Sequence, residues 1–326
     1  MPNALAQLLD LGVLGLTVTT LDGEAAIEDS SSAVRVGVHR AGSLPTRGLD
    51  EFDILLSVDP GAPVPWVYAA ADQIDARIAT LSDAASRQPL AAAVAAQVLR
   101  MTLNLPFEQS LVLESLAYSM LLASEGFRVW REAAPARRRQ PDAAPRVRSV
   151  WADDGVEITL ARPAARNAVD ARLRDALVDA LEAAALDPEG RAVILRGEGA
   201  AFCAGGDLDE FGQADDPGHA HVIRVLRSPT RLAHALGRRL SAHVHGACIG
   251  AGIEIPAAAA RVIATPDAFF RLPEVAMGLI PGAGGTASIP RRIGRHRASY
   301  MAISGADIDA QTALSWGLID ALDDAP

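Results

Sequence analysis

Short apolar runs alternate with longer amphipathic segments through the second half of the chain, and this alternation is the strongest constraint on the fold. The run Val156-Glu-Ile-Thr-Leu160 has strand length, and Asp170 stands where a helix-like segment begins. Such alternation predicts α/β layers. We expect strands at residues 156–160, 192–196, 242–245 and 261–264, a small-residue helix from the glycine turn 246–252 through 260, and further helices near 169–185, 220–236, 286–293, 297–304 and 309–316. Pro229 is a candidate break in the helix at 220–236.

The first half of the chain shows two different patterns. Strand-like runs occur at residues 34–38 and 52–58, after which apolar residues recur at helical spacing. We expect helices at residues 70–81 and 90–103, and one long helix at 107–130. The stretch PARRRQPDAAP then interrupts all periodicity. The predicted units are a small α/β or β segment at 1–65, a helical region at 66–134, a linker at 135–148 and a core at 149–326.

Composition excludes several classes of function. The chain contains no lysine, which rules out Schiff-base, pyridoxal-phosphate and P-loop chemistry that requires a lysine amine. A net charge of −10 argues against a nucleic-acid binder, because phosphate neutralisation needs a basic face. No apolar run reaches the roughly 18 residues of a membrane span. Two cysteines give no disulfide framework, so we expect a cytoplasmic protein.

Two glycine-rich turns follow predicted strands, one within residues 201–211 and one within residues 245–254. Small residues let the backbone approach a ligand, and N–H groups from two separate turns can converge on one oxygen as an oxyanion hole. Glu254 stands among isoleucines and alanines, and Glu274 precedes a third glycine loop. Paired carboxylates in an apolar pocket can divide the roles of base and acid.

Each of these features also has a purely structural interpretation. Glu254 could be a satisfied core acid and Glu274 a helix cap. Glu114 and Glu125, in the helical region, are interpreted as solvated. His243 and His245 lie two apart on one strand, which supplies too few ligands for a metal, so no metal site is expected. Cys203 and Cys248 fit small-residue packing better than nucleophilic catalysis.

Six segments carry these features in a fixed order. They are Arg166-Asn-Ala-Val169, Phe202-Cys-Ala-Gly-Gly-Asp-Leu208, His245-Gly-Ala-Cys-Ile-Gly-Ala-Gly-Ile-Glu254, Pro273-Glu274, Ile280-Pro-Gly-Ala-Gly-Gly-Thr286, and Ser304-Gly305 through Gly317-Leu-Ile319. Together they resemble the enoyl-CoA hydratase/isomerase family, the crotonase superfamily, and the match runs over residues 150–322 in the order and spacing of that family. The resemblance implies an α/β fold, a crotonase-like spiral of ββα turns, that binds acyl-CoA thioesters.

The resemblance also assigns roles to residues. It implies that Glu254 and Glu274 are catalytic and that the N–H groups of Gly206 and Ala251 form the oxyanion hole. The family usually has glycine at the position of Ala251, so the hole requires a backbone angle there that tolerates a Cβ. The remaining implied contacts are to coenzyme A and substrate, with Arg166 near the CoA phosphates. They are Arg166, Ala168, Ala204, Asp207 and Leu208.

Both glutamates of the hydratases are present, which favours addition of water to a trans-2-enoyl-CoA to give a 3-hydroxyacyl-CoA. No cofactor beyond the coenzyme A of the substrate is implied. Two alternatives stay open: an isomerase or other CoA-thioester reaction that uses one glutamate, and a catalytically silent acyl-CoA-binding subunit. The family also implies a homo-oligomer, a trimer or hexamer.

The chain departs from the family at its end, because Pro326 follows closely on the last matching segment. Typical members continue with helices that cover the acyl pocket and make trimer contacts. Helical segments at residues 90–100, 105–115 and 123–127 look similar to those terminal helices. The helical N-terminal region is therefore a candidate replacement for the usual C-terminal lid helices. A structure in which residues 107–130 pack away from the acyl pocket would contradict it.

Overall fold

A computed structural model describes residues 14–22, 33–135, 143–214 and 216–323 of the protein. The chain begins with a four-stranded parallel sheet whose strands neighbour each other in chain order. Its strands are β1 Leu16–Thr20, β2 Val34–His39, β3 Ile54–Ser57 and β4 Val67–Tyr68. The strands predicted at residues 34–38 and 52–58 are confirmed.

Four helices follow this sheet. They are α1 Ile74–Arg87, α2 Pro89–Thr102, α3 Phe107–Leu122 and α4 Glu125–Ala133. The single helix expected at residues 107–130 is wrong, because it is two helices. The Ser124 hydroxyl accepts the Phe127 N–H at 3.4 Å and so caps a new helix. Half of the linker predicted at 135–148, residues 136–142, lies outside the described residues, and a strand begins at Val147, within its predicted end.

The second sheet has six strands. They are β5 Val147–Ala152, β6 Gly155–Leu160, β7 Val193–Gly197, β8 Leu240–Val244, β10 Arg261–Ala264 and β13 Ala321–Leu322. Their order is β13-β10-β8-β7-β6-β5, and the sheet is parallel except for the β5–β6 hairpin. Between β6 and β7, Asp170 accepts the Leu173 N–H at 2.7 Å and caps the helix that starts at Ala171, as its position in the sequence predicts.

A third, three-stranded sheet lies beside the glycine turns, with β11 central between β9 and β12. Its strands are β9 Ala247–Ile249, β11 Phe269–Arg271 and β12 Ile308–Asp309. The remaining helices are α5 Ala171–Ala185, α6 Pro217–Leu226, α7 Pro229–Leu236, α8 Ala251–Glu254, α9 Gly285–Ile293, α10 Arg295–Ser304 and α11 Ala310–Trp316.

The small-residue helix expected through residue 260 is much shorter than the sequence suggests. Only α8 is α-helical, and a single 3-10 turn, Pro256–Ala258, follows it. Pro256 has no N–H to continue the helical hydrogen bonding, so the alanines after it leave the helix. This early end leaves the Glu254 side chain at the last residue of a very short helix.

Both halves of the chain contribute to one continuous apolar core. Its buried side chains include Ile54 and Leu121 from the first half and Ile289 from the second. Backbone carbonyls of the first half accept hydrogen bonds from the second, with Arg295 donating to Phe52 at 2.9 Å and Arg297 to Trp66 at 3.0 Å. The helices α1–α4 are therefore packed onto the second half. Among the described residues, no helix has the length and apolar character needed to cross a membrane.

Candidate active site

A cavity of about 300 Å³ lies where the two halves of the chain meet. The second half contributes the glycine turns and helices α6 and α8, and α3 closes one side from the first half. The predicted site residues that line it are Gly206, Asp207, Ala251, Glu254 and Glu274. Residues of three separate sequence segments thus reach one enclosed space.

The first two glycine turns are tied together by backbone hydrogen bonds. The Cys203 N–H donates to Ala247 at 3.2 Å, and the Ile249 N–H donates to Cys203 at 3.0 Å. Their close approach depends on Gly252, where a Cβ would lie 2.3 Å from the Cys203 carbonyl oxygen. Because one turn is fixed against the other, backbone groups that project from both have a fixed separation.

Two backbone N–H groups at this junction are unused. Those of Gly206 and Ala251 have no acceptor among the described residues, and both residues line the cavity. Ala251 does not have a positive φ, so its Cβ is tolerated where the family usually has glycine. Both donors that the resemblance assigns to an oxyanion hole therefore border the same cavity.

Glu254 is held by the third glycine loop. Its Oε2 accepts the N–H groups of Ala283 at 2.7 Å and Gly285 at 2.8 Å. The side chain is buried, so these two donors are the polar groups that compensate for its desolvation.

Glu274 lies opposite, at the start of a 3-10 turn. Its Oε2 is buried and has no hydrogen-bond partner among the described residues. A Cβ on Gly250 would lie 2.5 Å from Glu274 Oε1 and 3.6 Å from Glu254 Oε1. The two carboxyl groups therefore flank one position, which only a glycine leaves open.

Burial and mutual repulsion disfavour ionisation of these acids. Burial raises the pKa of Glu274 to about 8, and the nearby Glu114 carboxylate adds to the shift. Burial, followed by the Glu274 and Glu114 carboxylates, raises the pKa of Glu254 well above its ordinary value. At neutral pH the glutamate pair consequently retains a proton.

This raised pKa predicts a pH-dependent effect on stability. The unfolded Glu274 ionises at its ordinary pKa of about 4.5, whereas the folded one stays neutral up to about pH 8. The stability lost to its burial therefore grows from about pH 4.5 to about pH 8 and is constant above that. We expect Glu274→Gln to melt about 3 °C or more above the wild type at high pH, with a smaller difference at pH 6. Thermal unfolding of both proteins between about pH 5 and pH 9 measures this difference in melting temperature. A difference that does not change with pH would contradict the raised pKa of Glu274.

A third buried glutamate, Glu114 of α3, accepts hydrogen bonds from the same glycine loop. Its Oε1 accepts the Gly284 N–H at 2.7 Å, and its Oε2 accepts the N–H of Thr286 at 2.8 Å and its hydroxyl at 2.7 Å. Only 2% of Glu114 is exposed. Successive N–H groups of the loop therefore point alternately to Glu254 and Glu114.

The interpretation of Glu114 as solvated is consequently wrong, whereas Glu125 is exposed as expected and pairs with Arg128. A signal for Glu114 was present in the sequence. It lies three residues after Leu111 and four before Tyr118, on the face of α3 that the structure buries. The Tyr118 ring lies against Gly282, where a Cβ would be 2.3 Å from it.

The residues assigned to coenzyme A are placed less uniformly. Asp207 lines the cavity but pairs with Arg162 at 2.7 Å. The other four, Arg166, Ala168, Ala204 and Leu208, do not line it. Arg166 is exposed, and its carbonyl accepts the Ala204 N–H at 2.9 Å, which places these two side by side. Leu208 is exposed and Ala168 is buried.

His245 and the two cysteines are engaged in packing and backbone hydrogen bonds. His245 hydrogen-bonds the Gly199 carbonyl at 2.8 Å. Within the described ranges, no group of three His, Cys, Asp or Glu side chains could hold a metal ion. Cys203 and Cys248 are buried as free thiols, and burial raises the pKa of Cys203 to about 12. A thiol with so high a pKa is a poor nucleophile.

Comparison with known proteins shows the family of the chain. A family model described as enoyl-CoA hydratase/isomerase matches residues 154–325, more than half of the chain. The chain therefore belongs to this family. It is 40% identical over 164 residues to the 2,3-dehydroadipyl-CoA hydratase of Escherichia coli, covering 50% of this chain and 63% of that protein. It is 34% identical over 171 residues to the mevalonyl-coenzyme A hydratase SIDH of Beauveria bassiana, covering 50% and 61%.

Solved structures show the corresponding fold. An enoyl-CoA hydratase from Thermoplasma volcanium matches with a TM-score of 0.50 and 30% identity, over 56% of this chain and 73% of that one. An enoyl-CoA hydratase from Bacillus anthracis matches with a TM-score of 0.50 and 31% identity, over 55% and 70%. The crotonase-like α/β fold expected from the sequence is confirmed. The chain spans about three fifths of the length of the curated relatives it matches.

Proposed function

We propose that the protein hydrates a trans-2-enoyl-CoA to a 3-hydroxyacyl-CoA. The observation that carries this proposal is the pairing of two unused N–H groups with two facing carboxyl groups in one cavity. Hydration needs the N–H pair, because negative charge builds on the thioester oxygen. It needs the carboxyl pair, because one proton leaves water and another is added to carbon. The hydratase names of the relatives from Escherichia coli and Beauveria bassiana agree with it.

In the proposed mechanism the thioester oxygen accepts the N–H groups of Gly206 and Ala251. A water molecule lies between Glu254 and Glu274 and attacks C3 as a carboxylate takes its proton. The C2–C3 π electrons move to the thioester oxygen as an enolate, which the two N–H groups stabilise. A carboxylic acid then protonates C2, which restores the thioester carbonyl and completes the addition of water.

The geometry favours Glu254 as the base and Glu274 as the acid. Two N–H groups donate to Glu254 Oε2, and these donors counter the rise in its pKa that burial causes, because they favour the ionised form. Glu274 Oε2 accepts no hydrogen bond among the described residues, so no donor stabilises its ionised form at that oxygen. We therefore place the proton that the pair retains on Glu274, ready for transfer to C2.

Coenzyme A is the only further group that the proposal requires. With no lysine in the chain, any cation that holds its phosphates is an arginine. Arg166 is exposed, and its backbone adjoins the first glycine turn at Ala204, which supports the role. The other side of the cavity is closed by α3.

We also propose that α3 and α4 replace the family's C-terminal lid helices. Four residues of α3 line the cavity, namely Leu111, Glu114, Tyr118 and Leu122. Phe127 of α4 lies against Gly212, which follows the first glycine turn. These helices thus cover the site from a position earlier in the chain than the core they complete.

The assigned acid predicts a pH profile. Glu274 has a raised pKa of about 8, so its acid form is present below that pH and lost above it. We expect kcat/KM for hydration to fall about tenfold per pH unit above pH 8, as proton transfer to C2 loses its donor. Initial rates at low substrate from about pH 6 to pH 10 measure this. An undiminished rate at the alkaline end would contradict the assignment.

A direct assay of the wild-type protein tests the function. Crotonyl-CoA and its 3-enoyl isomer are supplied separately, and the products are separated chromatographically. Hydration predicts a 3-hydroxyacyl-CoA from crotonyl-CoA. Interconversion of the two enoyl isomers without a hydroxylated product would instead show an isomerase. Binding of both thioesters without turnover would show an acyl-CoA-binding subunit.

A further inference from the structure

Arg224 of α6 lines the cavity. Its Nη1 donates to the Ser115 carbonyl at 3.3 Å, the Ser115 hydroxyl at 3.0 Å and the Ser119 hydroxyl at 3.1 Å. The guanidinium carbon lies 4.4 Å from the centre of the Tyr118 ring. These contacts with α3 hold the group in one orientation.

This cation has no carboxylate within ion-pair distance among the described residues. The two other arginines of the cavity wall are paired, Arg227 with Asp175 and Asp179 and Arg174 with Asp175. Burial lowers the pKa of Arg224, which is half-buried. The charge of Glu114 acts on it, but the oxygens of Glu114 accept their hydrogen bonds from the glycine loop.

The unused atoms of Arg224 form a defined recognition edge. Only Nη1 is engaged, so within the described part of the chain Nε and Nη2 have no hydrogen-bond partner. These two nitrogens share one edge of the guanidinium, the edge that binds both oxygens of a carboxylate at once. A fixed, unpaired arginine with this edge free is suited to an anion that enters the cavity.

We propose that Arg224 binds a carboxylate at the far end of the substrate's acyl group. The inference rests on the proposed function, since the same cavity contains the glutamate pair and the two N–H donors. An acyl chain that starts at those donors has the apolar side chains of Leu111, Leu122 and Ile223 beside it and Arg224 in the same wall. The substrate class is therefore a trans-2-enoyl-CoA whose acyl group ends in a carboxylate.

Matched substrates test this proposal. Pairs of trans-2-enoyl-CoA thioesters of equal chain length, one ending in methyl and the other in carboxylate, are compared over a series of lengths. We expect the wild type to favour the carboxylate form by about tenfold or more in kcat/KM at one length, as a charged hydrogen-bonded pair provides. Arg224→Gln is expected to abolish that preference, and Arg224→Lys to restore only part of it.

Arg227→Gln is the control, because it removes a neighbouring arginine that already has two acid partners. It should keep the preference of the wild type. A wild type without preference, or an Arg224→Gln variant that loses both substrates equally, overturns the inference. Calorimetric binding of the saturated acyl-CoA analogues, one ending in methyl and the other in carboxylate, separates the role of Arg224 from the proposed hydration. If no enoyl-CoA is hydrated, tighter binding of the carboxylate form still supports Arg224, and equal binding overturns it.

Discussion

Replacing either cavity glutamate with glutamine should abolish most of the hydration. For Glu254→Gln and Glu274→Gln we expect kcat for crotonyl-CoA to fall by about 10²- to 10⁴-fold, the usual contribution of a positioned acid or base. The amide has nearly the shape of the carboxyl group, but it neither takes a proton from water nor gives one to C2. Steady-state kinetics of the two variants measure this loss.

The controls for this prediction separate chemistry from folding. Glu125→Gln changes a solvent-exposed glutamate of α4, away from the two cavity glutamates in the sequence, and should retain wild-type kcat. Thermal melting should show that both active-site variants fold. Loss of activity in only one variant would indicate a one-glutamate reaction such as isomerisation. Unchanged rates in both would contradict the roles proposed for Glu254 and Glu274.

The second large effect is expected at Glu114, which does not face the reacting atoms in the proposed mechanism. Glu114→Ala leaves the buried N–H groups of Gly284 and Thr286 without an acceptor. Each such loss costs about 1–3 kcal/mol of folding free energy. The loop that holds Glu254 is then free to shift, and a small displacement of a base lowers the rate by about 100-fold. We therefore expect both stability and kcat to fall.

A positioning role for Glu114 has a signature that a purely structural one lacks. Its charge raises the pKa of both cavity glutamates. Glu114→Gln keeps the size of the side chain and one acceptor oxygen but removes that charge. The alkaline limb of the pH profile should then move to lower pH, while melting changes less than in Glu114→Ala. A lower rate with an unmoved profile would contradict this role.

The parts of the site that the sequence predicts are those built within one contiguous segment. Gly206 lies in a turn with its strand before it, and Ala251 and Glu254 lie in another. Their motifs determine the local backbone, so the glutamate and its neighbouring donors are recognisable together. Glu274 is also recognisable locally, since it lies shortly before the glycine loop 280–286.

The parts that escaped prediction depend on contacts between distant segments. Glu114 binds a loop 170 residues away. Its spacing from Leu111 and Tyr118 indicates the buried face of α3, but nothing near it in the chain identifies the loop whose N–H groups it accepts. Arg224 is a similar case, because its lack of an acid is visible only once α3 and α6 are packed together. The break between α3 and α4, by contrast, had a local signal in Ser124.

The central claim is that one cavity, completed by helices from the first half of the chain, adds water across an enoyl thioester. The most direct measurement is turnover of crotonyl-CoA by the wild-type protein in heavy-oxygen water, with the product analysed by mass spectrometry. The account predicts 3-hydroxybutyryl-CoA with the heavy oxygen at C3, formed in proportion to the protein added. Recovery of unlabelled enoyl thioesters alone, whether unchanged or isomerised, would contradict it.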